Sequence, residues 1–274
     1  MRILIAADME GISGVTCWEH VTPGHAEYER FRKVMTAEVN AAIQGAFAGG
    51  AKEVVVSDGH WNSGNILIEE LDPRARLNCG TPSPFSMVEG VQDGVDGAMF
   101  VGYHARAGTA NAILDHTWSS KCVANLWVND LLMGESGLNA AVCGHFNVPV
   151  LLVSGDQSVC AEASEMLGPL ETVVVKKASG RASASCLALQ AAQELIRQTA
   201  TKAVQRLANH QAPLPFRLPE PIRVVVELFY SEMADKAALL PGVKRLDGRR
   251  VEIHAANMPE AYRGFRAAVA LARG

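Results

Sequence analysis

No stretch of this 274-residue chain is apolar over the roughly 18 residues that a membrane span requires. The opening MRILIAADMEG carries one positive charge and then an acidic pair after a short apolar run. A secretory leader needs a longer apolar segment and a small-residue cleavage site, so a soluble, cytoplasmic protein is expected, with no membrane partner. Basic charge is not in excess either. The 25 Lys and Arg stand against 29 Asp and Glu, a formal charge of −4, which argues against a face that neutralises nucleic-acid phosphates. The six cysteines include no CxxC pair. An even count in a chain this long is not the disulfide framework of a small secreted domain, and free, mostly buried thiols are expected. Internal repeats and low-complexity tracts are also missing.

Hydrophobic residues make up 49% of the chain and charged residues 20%, the balance of a globular enzyme with one large core. Strand and helix signals alternate through most of its length. Strands are predicted at 2–7, 53–57, 75–79, 98–102, 123–128, 149–154 and 172–176. Helices are predicted at 27–49, 66–71, 135–146, 157–167 and 184–209. This alternation predicts an α/β fold, a mainly parallel sheet flanked by helices in three layers. Four prolines between Gln211 and Pro221 break regular structure. They suggest a boundary between a metal-binding catalytic domain at 1–212 and a smaller α+β C-terminal region at 213–274, part of which can pack with an earlier segment. That region is predicted to hold strands at 222–228, 243–246 and 251–255, a short helix at 231–239 and a closing helix from Pro259.

Three predicted strands end on side chains that bind metals. The first runs into Asp8-Met9-Glu10-Gly11, the second into Asp58-Gly59-His60 and the third into Tyr103-His104. In open parallel sheets ligands collect beyond the carboxyl ends of the strands. Two carboxylates and two imidazoles meeting there suit Zn²⁺, with Mn²⁺ or Co²⁺ also compatible with an oxygen-rich site. Asp8 and Glu10, two apart, share one face if the backbone stays extended. The plain alternative is an N-cap, with Asp8 or Ser13 satisfying the first amides of a following helix, and a lone histidine after a strand is more often a loop or core residue. Asp58 is a candidate to orient an imidazole, and Arg106 a candidate partner for a carboxylate. Glu135, at the start of a predicted helix, reads by itself as a first-turn glutamate favoured by the helix dipole. His116 is ambiguous from spacing.

These segments resemble a known family. Residues 8–14 (DMEGISG), 57–60 (SDGH), 84–90 (PFSMVEG), 102–107 (GYHARA) and 134–140 (GESGLNA) look like the ordered motifs of the DppA-type zinc D-aminopeptidases, peptidase family M55. The resemblance covers essentially the whole chain. It implies a two-zinc site with Asp8, Glu10, His60, His104 and Glu135 as ligands, Asp8 bridging, and His116 as the catalytic histidine. His116 could serve as general acid and base or as nucleophile. It further implies hydrolysis of the N-terminal residue of short peptides such as D-Ala-D-Ala, and assembly into a homo-oligomer, a decameric ring in the founding type. Two other readings remain open at this stage: a metal-dependent amidohydrolase acting on a different amide or ester, and a metal-stabilised assembly protein without turnover.

Overall fold

The computed structural model describes residues 1–274. In chain order, β1 (Arg2–Ala7) leads to α1 (Tyr28–Ala48), β2 (Glu53–Asp58), β3 (Ala75–Asn78) and β4 (Gly97–Tyr103). Then come β5 (Val123–Val128), β6 (Leu131–Leu132), α2 (Glu135–His145), β7 (Val150–Asp156) and α3 (Gln157–Leu167). β8 (Glu171–Gly180), β9 (Ser183–Cys186) and α4 (Leu189–Ala208) follow. The chain closes with β10 (Ile222–Leu228), α5 (Ser231–Ala237), β11 (Val243–Arg245), β12 (Arg250–Ala255) and α6 (Met258–Arg273).

Seven strands form one sheet in the order β3-β2-β1-β4-β7-β8-β9. All its pairings are parallel except the β8–β9 hairpin. Strand β1 is buried on both faces. Ile3 and Ile5 enter one core with α1 and α4, whereas Leu4 and Ala6 enter another with α2, α3 and α6. This is the period of two imposed on a sheet covered on both sides, and the expected α/β architecture follows from it. From β1 the chain builds outward to β2 and β3, then returns past β1 to β4. Strand order therefore reverses between β1 and β4, the place where such sheets form a ligand crevice.

The C-terminal strands do not close a sheet among themselves. β10 pairs with β12 on one side and with β5 on the other, giving an antiparallel five-stranded sheet β11-β12-β10-β5-β6. Helix α6 packs against α5, β10 and β12 of this layer and against α2 of the first. No helix is long and apolar enough to cross a membrane.

Two predicted helices are corrected. The segment 66–71 forms turns and no helix; side chains of β2 and α1 tether its start, Asn65 and Ile66 donating to the Asp58 carboxylate and Leu67 to Thr36 Oγ1. Helix α4 starts at Leu189 instead of 184, since Ser183–Cys186 continue the sheet as β9. The hydroxyl of Ser179 donates to the Ser183 carbonyl and helps close that hairpin.

Candidate metal centre

At the end of β1 the Asp8 amide donates to the Val101 carbonyl of β4 (2.8 Å) and the Gly11 amide to the Gly102 carbonyl (2.7 Å). A Cβ on Gly11 would collide with the Tyr103 carbonyl, so glycine is required for this approach. Glu10 consequently lies in a turn beyond the strand. Its orientation is set by the loop and owes nothing to strand periodicity. The inner side of the loop is held by Lys176 of β8, which is fully buried. Lys176 Nζ donates to the carbonyls of Glu10 (2.5 Å), Ile12 (2.9 Å) and Val15 (2.8 Å). Glu38 of α1 accepts from the Ser13 amide at 3.0 Å. Burial pulls the Lys176 ammonium down to about 8 and pushes the Glu38 carboxyl up to about 7.

The ends of β2, β1 and β4 are adjacent, and they bring His60, Asp8, Glu10 and His104 together. Each imidazole has its outer nitrogen fixed by a main-chain carbonyl. His60 Nε2–H donates to Val21 (2.7 Å), His104 Nδ1–H to Ala105 (3.0 Å) and His116 Nδ1–H to Leu114 (2.8 Å). A carbonyl only accepts, so these nitrogens hold a proton, and in the neutral rings the inward nitrogens carry the lone pairs. His60 Nδ1 lies 3.2 Å from Asp8 Oδ1 and 3.0 Å from Glu10 Oε2. His104 Nε2 lies 3.4 Å from Asp8 Oδ2 and 3.2 Å from Glu135 Oε1. His116 stacks on His104 with ring centroids 3.9 Å apart, and its Nε2 is 3.7 Å from Glu135 Oε1 and 3.9 Å from Glu10 Oε1.

Acceptors thus face acceptors, an arrangement that needs cations or extra protons between them. Asp8 Oδ2, Glu10 Oε2 and His104 Nε2 are buried without any hydrogen-bond partner. Protons are strongly attracted there. Burial and then the Glu10 charge raise the Asp8 carboxyl to about 7. Burial opposes a charge on His104, yet Glu135 and Asp8 outweigh it and hold the ring at about 10. Carboxylate oxygens and imidazole nitrogens directed at one buried space are the donors that Zn²⁺ takes.

The profile of peptidase family M55, described as D-aminopeptidase, matches residues 1–267. The chain belongs to peptidase family M55. It is 38% identical over 266 residues to the D-aminopeptidase of Bacillus subtilis (strain 168), a match that covers 97% of this chain and 95% of that protein. The fold superposes with TM-score 0.95 and 36% identity on the Zn-dependent D-aminopeptidase DppA from Bacillus subtilis, a self-compartmentalizing protease. That superposition covers 100% of this chain and 98% of the other.

In this M55 peptidase the cluster floors a cleft of about 680 Å³, a volume suited to a small ligand. The walls include Trp18, Trp118, the 81–86 loop and one face of α6. Trp118 donates its amide to Glu135 Oε1 at 2.7 Å. Glu135 is the first residue of α2, so the dipole position read from the sequence and its place beside His104 coincide. The Trp18 ring meets His116 edge-on at 5.4 Å.

Two sequence candidates lie apart from the cluster chemistry. The Asp58 carboxylate accepts amides of His60, Asn65 and Ile66; it shapes the loop that carries His60 and touches no imidazole nitrogen. Arg106 donates its amide to Glu162, and its side chain is not in the cleft wall. Lys176, Trp118 and Arg266 were missed. Their partners are distant in the chain, and the one local signal is a lysine directly after the apolar run Val173–Val175.

Proposed function

We propose that this chain is a two-zinc aminopeptidase that removes the N-terminal D-residue from short peptides such as D-Ala-D-Ala. One observation carries the reading: the two oxygens of Asp8 face different histidines, Oδ1 toward His60 and Oδ2 toward His104. A carboxylate so placed can serve two ions, one also held by Glu10 and His60, the other by His104 and Glu135. The D-preference is carried over from the relatives' activity. So is assembly, and a closed homo-oligomer, a decameric ring, is the expected state.

Zinc bound there supplies Lewis acidity, polarising a scissile carbonyl and making water nucleophilic near neutral pH. The chain's own groups do the rest. Burial and the neighbouring His104 lower the pKa of His116, so its ring is neutral at pH 7 and Nε2 can accept a proton. That nitrogen faces the cleft, and from it the proton can pass to the leaving amine. Trp18 and Trp118 flank the floor and limit water around the reacting bond.

The test is to count zinc per chain and follow amino-acid release from paired D- and L-alanyl peptides before and after chelation. About two ions per chain, with chelator-sensitive and D-selective release, are expected. Turnover of amides that lack a free α-amine, with none of aminoacyl substrates, would replace the reading with a different metal-dependent amidohydrolase.

A further inference from the structure

The cleft is divided by charge. Its only acidic lining residues are Asp8, Glu10 and Glu135 on the floor, whereas Lys121, Arg263, Arg266 and Arg273 stand in its walls. Three of these cations come from one face of α6 at spacings of three and seven, with the small side chains of Ala267 and Ala270 between them. Lys121, Arg263 and Arg273 are exposed and take part in no ion pair within 4.0 Å. Clustering four cations in one cleft of a chain with net charge −4 points to an anionic ligand group.

Arg266 is the one of the four whose side chain hydrogen-bonds to the protein. Its Nη1 donates to the carbonyls of Ser83 (2.7 Å) and Pro84 (2.8 Å). Its guanidinium lies over the Tyr262 ring (5.5 Å to the centroid) and the Trp118 ring (6.0 Å). Trp118 is the residue whose main-chain amide donates to Glu135, so this cation is linked to the cluster through one residue. Nε and Nη2 of Arg266 make no hydrogen bond to the protein, leaving a two-pronged edge of the kind that grips carboxylates. Arg263 stands one helical turn away on the same wall.

We propose that Arg266 and Arg263 receive the free α-carboxylate of the substrate, which makes the cleft selective for short peptides with an unblocked C-terminus. The inference rests on the aminopeptidase reading and adds the substrate's other end to it. A dipeptide spans about 7 Å when extended. Its two ends carry opposite charges that match the acidic floor and the basic wall. Each further residue carries the carboxylate about 3.5 Å farther from the amino end held at the floor.

The experiment compares kcat/KM of the zinc-loaded enzyme for D-Ala-D-Ala and for its C-terminal amide, in the native protein and in Arg263→Ala and Arg266→Lys. The amide should be poorer by about tenfold or more, chiefly through KM, because a charge-assisted contact made equally in ground and transition states is lost. Arg263→Ala should weaken the free-acid substrate several-fold and leave the amide nearly unchanged. Arg266→Lys, which keeps the charge and loses the planar fork, should narrow the acid–amide gap. A structural role for either arginine would lower both substrates by the same factor, and that result overturns the inference, as does equal turnover of acid and amide. Absence of cleavage of both peptides by fully metallated protein overturns the aminopeptidase reading as well.

Discussion

The ammonium of Lys176, on β8, donates to the main-chain carbonyl of Glu10 at 2.5 Å, across a separation of 166 residues. The same nitrogen serves Ile12 and Val15, so one buried cation determines the path of the loop that presents Glu10. Lys176→Met keeps much of the volume and leaves three carbonyls without their donor. A stability loss of about 3 kcal/mol is expected, together with weaker zinc retention. Denaturant unfolding and a zinc count on the same preparation check this. Unchanged zinc affinity would show that the Glu10 loop holds its shape without the lysine.

Asp8→Ala and His116→Ala should fail in different ways. Removal of Asp8 takes away the carboxylate that faces both His60 and His104, so both ions and all activity are expected to be lost. His116→Ala should keep its zinc while turnover falls by about 10²–10⁴-fold. Metal analysis beside kcat separates the two. Zinc loss from the His116 variant would make that residue a ligand, as its position 3.7 Å from Glu135 also allows.

Zinc affinity should rise with pH. Metal binding requires deprotonated ligands. Without metal, Asp8 holds its proton up to a pKa of about 7 and His104 up to about 10. Both values lie above the ordinary ones, so these protons must be displaced on binding near neutrality. The apparent affinity should therefore increase by at least about a decade per pH unit between 7 and 9, and more steeply below 7. Competition with a chelator at pH 6, 7 and 8 reads the slope. A flat profile would rule out proton displacement from Asp8 and His104.

Arg181, at the turn between β8 and β9, supports from outside the loop that carries His116. Its Nε donates to Asp115 Oδ1 at 2.8 Å, its carbonyl accepts from the Leu114 amide, and its guanidinium covers the Trp18 ring. The pair is half-exposed, so Arg181→Ala should cost less than about 1 kcal/mol of stability. Turnover should drop by about tenfold or more with zinc content intact, because His116 and Trp18 lose a fixed support. Full activity in this variant would show that the loop is held adequately by its other contacts.

The fold and much of the cluster were legible because buried strands announce themselves locally. The short, largely apolar strands ending at Ala7, Asp58 and Tyr103 mark strand ends, and parallel topology brings such ends to one edge. His60 and His104 follow directly. Glu10 was found for an incomplete reason. Spacing along an extended strand does not orient it; the Gly11–Gly102 contact and Lys176 do. Helix α4 starts five residues later than the local pattern predicts, because Ser183–Cys186 carry no strand propensity of their own and join the sheet only through β8. The placement of β5 beside β10, and of Arg266 beside Trp118, depends on pairings between segments about 100 or more residues apart, which no local pattern encodes.

The outer nitrogens of all three imidazoles rest on peptide carbonyls of Val21, Ala105 and Leu114. Many metal sites use an acidic side chain for this purpose, which evolution or an engineer can replace by a point mutation. Here the supporting atoms belong to the backbone and survive any side-chain exchange at those three positions. The basicity and tautomer of the histidines are thus inherited with the path of the chain. Altering them means remodelling a loop.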